Sequence, residues 1–203
     1  MSEPKEYTLA EIAEYIDSKI VGDSKTIVNN LSTLKKASSQ SIAFLANTKY
    51  SKLIPNCKAS AIIVGDSYEI QDKKNYLVSS DPYLAYAKLS SLFKNSIFEL
   101  DNISIHPSAI ISNNSSIGKN VSIGANVVIG PNCLIDDNVI IKSNCSLVQD
   151  VYIGTNSIVH NGTVLGSDGF GYAKNKEEYV KIEQLGKLII GKNVEIGSNC
   201  TLD

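Results

Sequence analysis

Every sixth residue from Ile105 to Leu165 is aliphatic: Ile105, Ile111, Ile117, Ile123, Ile129, Ile135, Ile141, Leu147, Ile153, Val159 and Leu165. Glycine often follows, as at Gly118, Gly124, Gly130, Gly154 and Gly166. Three residues after the aliphatic stands asparagine or a residue of like use: Asn114, Asn120, Asn126, Asn132, Asn138, Asn144, Asp150, Asn156 and Gly162. Four after it stands a small or β-branched residue such as Ser115, Val121, Cys133, Cys145, Val151 or Thr163. A helix would repeat near 3.6 and a plain strand at 2. Six residues instead make one short strand and one turn, and Asn, Asp and Gly tolerate the left-handed backbone such a turn needs. Three units close a triangular coil, and coils stack by parallel pairing at about 4.8 Å. The fold class is therefore mainly β, a parallel β-helix of hexapeptide repeats, preceded by a small α/β domain.

The repeat breaks after Leu165 and resumes at Ile190, Ile196 and Leu202. Residues 166–187 are polar and aromatic and cannot continue the ladder, so they read as an inserted loop projecting from one corner. Long loops on rigid scaffolds usually carry function. Phe170, Tyr172 and Tyr179 would either wall a long apolar substrate or pack on a neighbouring subunit.

Residues 1–100 lack the sixfold pattern and read as an α/β domain; 101–203 form the β-helix, with 94–104 as linker. Thr8 to Glu11 fits a capping box, and Leu9, Ile12, Ala13 and Ile16 predict a helix over 8–19. Ile27–Leu31, Ile42–Leu45, Ala61–Val64 and Tyr76–Val78 read as strands, and Tyr50–Ile54 as a helical turn stopped by Pro55. Asp81-Pro82 starts a second helix, whose expected apolar face is Leu84, Ala85, Lys88, Leu89, Leu92 and Phe93. In this domain Phe44, Asn47, Lys49 and Tyr50 bring two aromatics, an amide and an amine around one turn. That cluster is either core packing or a sandwich for a flat ring.

Net charge is −2 and all nineteen basic residues are lysine. Nothing supports nucleic-acid binding, and any phosphate contact must come from lysine, hydroxyls or backbone amides. Cys57, Cys133, Cys145 and Cys200 show no paired spacing and predict neither disulfide nor metal site. The two histidines, His106 and His160, both follow an inward aliphatic and so point outward. They lie three coils apart, about 14 Å at ~4.8 Å per coil, and cannot share a zinc ion. No cofactor is expected. The start lacks a signal core and no apolar run reaches the ~20 residues of a membrane span, which predicts a cytoplasmic protein.

AFLANTKY, DPYLAYAKLSSLF, the Ile-His-Pro-Ser-Ala entry to the repeat and GSDGFGY followed by KIEQLGKLIIGKNVEIGSNCTLD resemble the UDP-3-O-(3-hydroxyacyl)glucosamine N-acyltransferase family of lipid A biosynthesis. The resemblance covers the whole chain in order. It implies a left-handed β-helix and a homotrimer with active sites between adjacent helices. It also implies a 3-hydroxyacyl donor on acyl carrier protein and, as acceptor, the 2-amine of a UDP-3-O-acylglucosamine. By motif, Phe44 and Tyr50 would flank the uracil and Asn47 would hydrogen-bond nearby. The family's general base is a histidine in an Ala-His-Asn segment beyond Asp203, and its carrier-binding helices follow it. The chain is accordingly expected to be C-terminally truncated and impaired, with no catalytic residue assigned; His160 does not match that base. Two alternatives stand beside this reading: a non-catalytic trimeric nucleotide-sugar-binding scaffold, or another hexapeptide acyltransferase.

Overall fold

The computed structural model describes residues 5–93 and 105–203. They belong to two units, Met1–Ser96 and Ile97–Asp203; the linker expected at 94–104 lies outside the described residues.

In the first unit β1 (Tyr7–Thr8) runs into α1 (Leu9–Ile16). Thr8 Oγ1 accepts from Glu11 N at 3.3 Å, and the Glu11 carboxylate accepts from Thr8 N at 2.7 Å. Two orphan donors of the first turn are thereby satisfied. The helix stops at Ile16 rather than at residue 19, because Asp17 adopts a left-handed φ of 52°. The next residues form strand β2 (Lys19–Val21), not a helix tail. Gly22 follows at φ +122°, where a Cβ would lie 2.3 Å from Asn75 Oδ1. Only glycine fits that backbone and that approach.

The stretch expected as one strand over 27–31 is two, β3 (Ile27–Val28) and β4 (Asn30–Leu31). β3 pairs with β1, whereas β4 pairs with β5 (Ser41–Phe44), so the chain changes sheets between them. With β6 (Ala61–Gly65) and β7 (Asn75–Ser79), these complete a five-stranded sheet in the order β2-β7-β6-β5-β4. β4 to β7 are parallel, and β2 is antiparallel to β7. Successive side chains alternate faces. Ile42, Ala61, Ile63 and Leu77 meet α1 and α2 (Pro82–Leu92) in one core. Ala43, Leu45, Ile62, Val64 and Tyr76 meet Leu34, Ala37, Ile54 and Cys57 in a second core. Burial on both faces explains the unbroken apolar run from Ala61 to Val64.

In the second unit, two-residue strands stack into three parallel ladders. One joins 110–111, 128–129, 146–147, 164–165 and 201–202; another joins 116–117, 134–135, 151–153 and 188–190. The third joins 122–123, 140–141, 158–159 and 195–196, with Ile105 bridged to Ile123. The hexad aliphatics from Ile123 to Leu165, and Ile190 and Ile196, are buried between the ladders. In the first coil Ile105 is exposed and Ile111 and Ile117 are half-buried.

Asn120, Asn126, Asn132, Asn138, Asn144, Asp150 and Asn156 all adopt φ between 52° and 63°. Their side chains pair from coil to coil, as in Asn120 Nδ2 to Asn138 Oδ1 and Asn126 Nδ2 to Asn144 Oδ1, both 3.3 Å. Asn114, expected to serve likewise, does not take this conformation: its turn closes through Ser115 N to Ser112 O at 3.1 Å. Polar corner residues are satisfied by backbone, as in Ser157 Oγ to Gly191 O at 2.9 Å and Thr163 Oγ1 to Gly197 O at 2.8 Å. Ile153 pairs with Ile190, 37 residues on instead of the usual 18, so the insertion adds nineteen residues. Part of it is an antiparallel hairpin, Tyr172–Asn175 with Glu178–Lys181.

Candidate functional site

Phe44 is the last residue of β5, its side chain packed on the helix face of the sheet. Leu45 turns to the opposite core, and the chain then enters a short 3-10 helix, Thr48–Leu53. Asn47 caps that helix in extended conformation: its Oδ1 accepts from Lys49 N at 3.0 Å, and its own carbonyl accepts from Tyr50 N at 3.0 Å. Fixing Oδ1 on the backbone leaves the Asn47 Nδ2 group, a donor only, for a partner outside the turn. Tyr50, three residues beyond Asn47 on the same turn, is 55% exposed.

Phe44, Asn47 and Tyr50 thus share one cavity of about 470 Å³, together with Thr33, Leu34, Lys35, Leu45, Ala46, Leu53 and Tyr83. The size falls within the ordinary range for small-molecule sites. The cavity opens at the C-terminal end of a parallel strand, where α/β sheets usually bind ligands. Lys49, expected in the same cluster, contributes its backbone but is not among the lining residues.

The second helix completes the aromatic wall. Asp81 Oδ1 accepts from Tyr83 N and Leu84 N at 3.0 and 2.9 Å, fixing the helix start. Tyr83 and Tyr86 then lie three apart, on neighbouring positions of one helix face. Tyr86 stacks on Phe44 with centroids 3.9 Å apart, and Tyr83 lies tilted at 6.2 Å. The apolar face expected for this helix is therefore too wide. Ala85 and Leu89 are buried, but Leu84 is exposed, and the tyrosines take the side toward Phe44. The Tyr-x-x-Tyr spacing was the available signal for them.

A second cavity of about 900 Å³ shares Leu45 and Ala46 with the first and is lined by Asp66, Glu69 and Asp72. Asp72 Oδ1 accepts from Tyr76 OH at 2.9 Å. Burial, first, and then that bond push the Tyr76 phenol well above its ordinary range.

The histidines belong to the second unit. His106 Nδ1 accepts from Ser108 N at 3.2 Å and lies 2.8 Å from Ser108 Oγ, a local turn at the start of the β-helix. His160 Nε2 lies 2.6 Å from Glu195 Oε1 on the following coil. Phe170 and Leu185 in the insertion are almost wholly exposed, and Tyr172 and Tyr179 are exposed as well. Lys181 pairs with Asp168 and, at 3.8 Å, with Glu183; the Asp168 bond raises the Lys181 pKa. Among the described residues no group of His, Cys, Asp and Glu could hold a metal ion, and no helix is long and apolar enough to cross a membrane. All four cysteines are free.

Residues 25–92 match the family model described as UDP-3-O-(3-hydroxymyristoyl) glucosamine N-acyltransferase, LpxD. Residues 102–137 and 132–167 match the bacterial transferase hexapeptide model. The chain is 43% identical over 215 positions to a UDP-3-O-acylglucosamine N-acyltransferase of Marinomonas sp. (strain MWYL1), covering 97% of this chain and 62% of the relative. Enzymes of that name from Hahella chejuensis (strain KCTC 2396) and Saccharophagus degradans (strain 2-40) are 46% and 39% identical, again over 97% of this chain and 61% and 62% of theirs. The chain thus spans about three-fifths of the length of these curated relatives.

Proposed function

We propose that the chain belongs, over the stretch it spans, to the UDP-3-O-acylglucosamine N-acyltransferase family, and that it contributes the uridine site and β-helix repeats to an N-acyltransferase of lipid A biosynthesis. The reaction moves a 3-hydroxyacyl group from acyl carrier protein to the 2-amine of a UDP-3-O-acylglucosamine. The amine nitrogen bonds to the acyl carbon, the thioester C–S bond breaks, and the amine proton leaves as the thiol forms.

The observation that carries the reading is the convergence of Phe44, Asn47 and Tyr50 on one cavity. In this reading the uracil lies between the rings of Phe44 and Tyr50. Asn47 Nδ2 donates to a uracil carbonyl oxygen. No residue of this chain is assigned as the base. His160 is held by Glu195 on the β-helix and is given no role in the transfer.

The assembly is a homotrimer, associating through outward residues of the β-helix such as Ile110, 66% exposed and paired in register with Val128. The compartment is the cytoplasm, which suits four unpaired thiols.

Calorimetry with uridine and UDP tests the uridine site. Stacking on an aromatic contributes about 1–3 kcal/mol per base, so Tyr50→Ala is expected to weaken both ligands roughly tenfold or more. Equal affinities in wild type and variant would remove the site.

A further inference from the structure

We propose that Lys35 is the cation that meets the phosphoryl oxygens of a nucleoside diphosphate seated in the Phe44–Tyr50 cavity. The inference rests on the uridine reading of that cavity and adds its anion contact. Without a single arginine among its 203 residues, the chain has only lysine to supply a permanent positive charge to a phosphate. Of the residues lining the cavity, Lys35 alone carries a charge.

Its place on the rim is built rather than incidental. Leu34 and Ala37, on either side of it in the turn, are both buried in the second core of the sheet. Lys36 N and Ala37 N both donate to Thr33 O at 3.0 Å, closing the turn. The Lys35 backbone is thus anchored while its side chain is exposed, and among the described residues it makes no ion pair. Thr33, on the same turn and the same cavity wall, adds a hydroxyl donor.

The neighbouring cavity sets the direction. It shares Leu45 and Ala46 with the first but carries Asp66, Glu69 and Asp72 against a single cation, Lys52. A diphosphate leaving the nucleobase on that side would face like charges, which repel most where salt screens them least. On the Lys35 side it meets a lysine and a hydroxyl and no carboxylate. With the base on Phe44, the phosphates therefore run toward the Thr33–Lys35 turn.

The test is calorimetry on the full chain with uridine and with UDP at two salt concentrations. Lys35→Ala is expected to weaken UDP roughly three- to tenfold, to leave uridine unchanged, and to flatten the salt dependence of UDP binding. Lys35→Arg should keep UDP affinity. Lys36→Ala, next in sequence but off the cavity, should change neither ligand. Equal UDP affinity in wild type and Lys35→Ala would overturn the proposal, as would equal losses for uridine and UDP. A wild type that binds neither ligand would remove the uridine reading itself. One that binds uridine but gains nothing from the phosphates would remove only Lys35.

Discussion

The ring of Tyr86 stacks on the ring of Phe44, with centroids 3.9 Å and planes 26° apart. Tyr86 therefore occupies one face of Phe44, a residue that also lines the cavity. The pair fixes the plane against which a nucleobase would lie, so Tyr86 is a positioning residue that touches no ligand itself. Aromatic pairs contribute about 0.5–1.5 kcal/mol beyond burial. Tyr86→Ala is expected to weaken UDP several-fold, while Tyr86→Phe retains affinity. A double-mutant cycle with Phe44→Ala supplies the check: positioning requires the two losses to be non-additive.

Gly130 cannot be replaced without moving the coil. A Cβ there would lie 1.8 Å from Val148 O, a backbone atom of the next coil, and Gly130 N already donates to Leu147 O at 2.7 Å. Neither neighbour is a flexible side-chain end, so the ladder itself must shift. Gly130→Ala is expected to destabilise the β-helix by about 1–3 kcal/mol, the range for overpacking a filled interior. Gly186→Ala, whose nearest heavy atom within reach is Gln184 Nε2 at 3.5 Å, should be nearly neutral. Denaturant unfolding of the two variants gives the comparison.

Much of the β-helix was legible because a ladder demands the same residue type at the same register in every coil. Ile129 lies beside both Ile111 and Leu147, and each of the three must be aliphatic for the stack to close. The period writes this out in sequence. In the first coil Asn114 departs from the left-handed turn, whereas Asn120 keeps it. The first unit was less legible where one residue's backbone decides the outcome. Asp17 in the left-handed region ends α1 early and frees Lys19–Val21 for the sheet; nothing in helical periodicity marks that position. At the candidate site the Phe44–Tyr50 cluster was visible because it is local in sequence. Lys35 was not, and the spacing of Tyr83 and Tyr86 does not say what they face, since only the folded domain brings Lys35 to the cavity and the two tyrosines to Phe44.

Glu11 ties the stability of the first unit to pH. Its carboxylate accepts from Thr8 N at 2.7 Å and from Thr8 Oγ1 at 2.8 Å. Those bonds, the backbone one foremost, hold its pKa below the usual glutamate value. A carboxyl depressed on folding adds stability above its unfolded pKa and loses it as pH falls through the folded value. The helix N-terminus favours the same charged form. Thr8→Ala and Glu11→Ala should each lower the melting temperature at neutral pH, and Glu11→Ala should remove the Glu11 share of the acid dependence. The gap between wild type and Glu11→Ala is expected to be widest at pH 6–7, near neutrality, and to close below the ordinary glutamate range, about 4.3. Melting curves taken across that interval check it: a gap that stays constant down to the lowest pH would mean that the carboxylate charge contributes nothing to the cap.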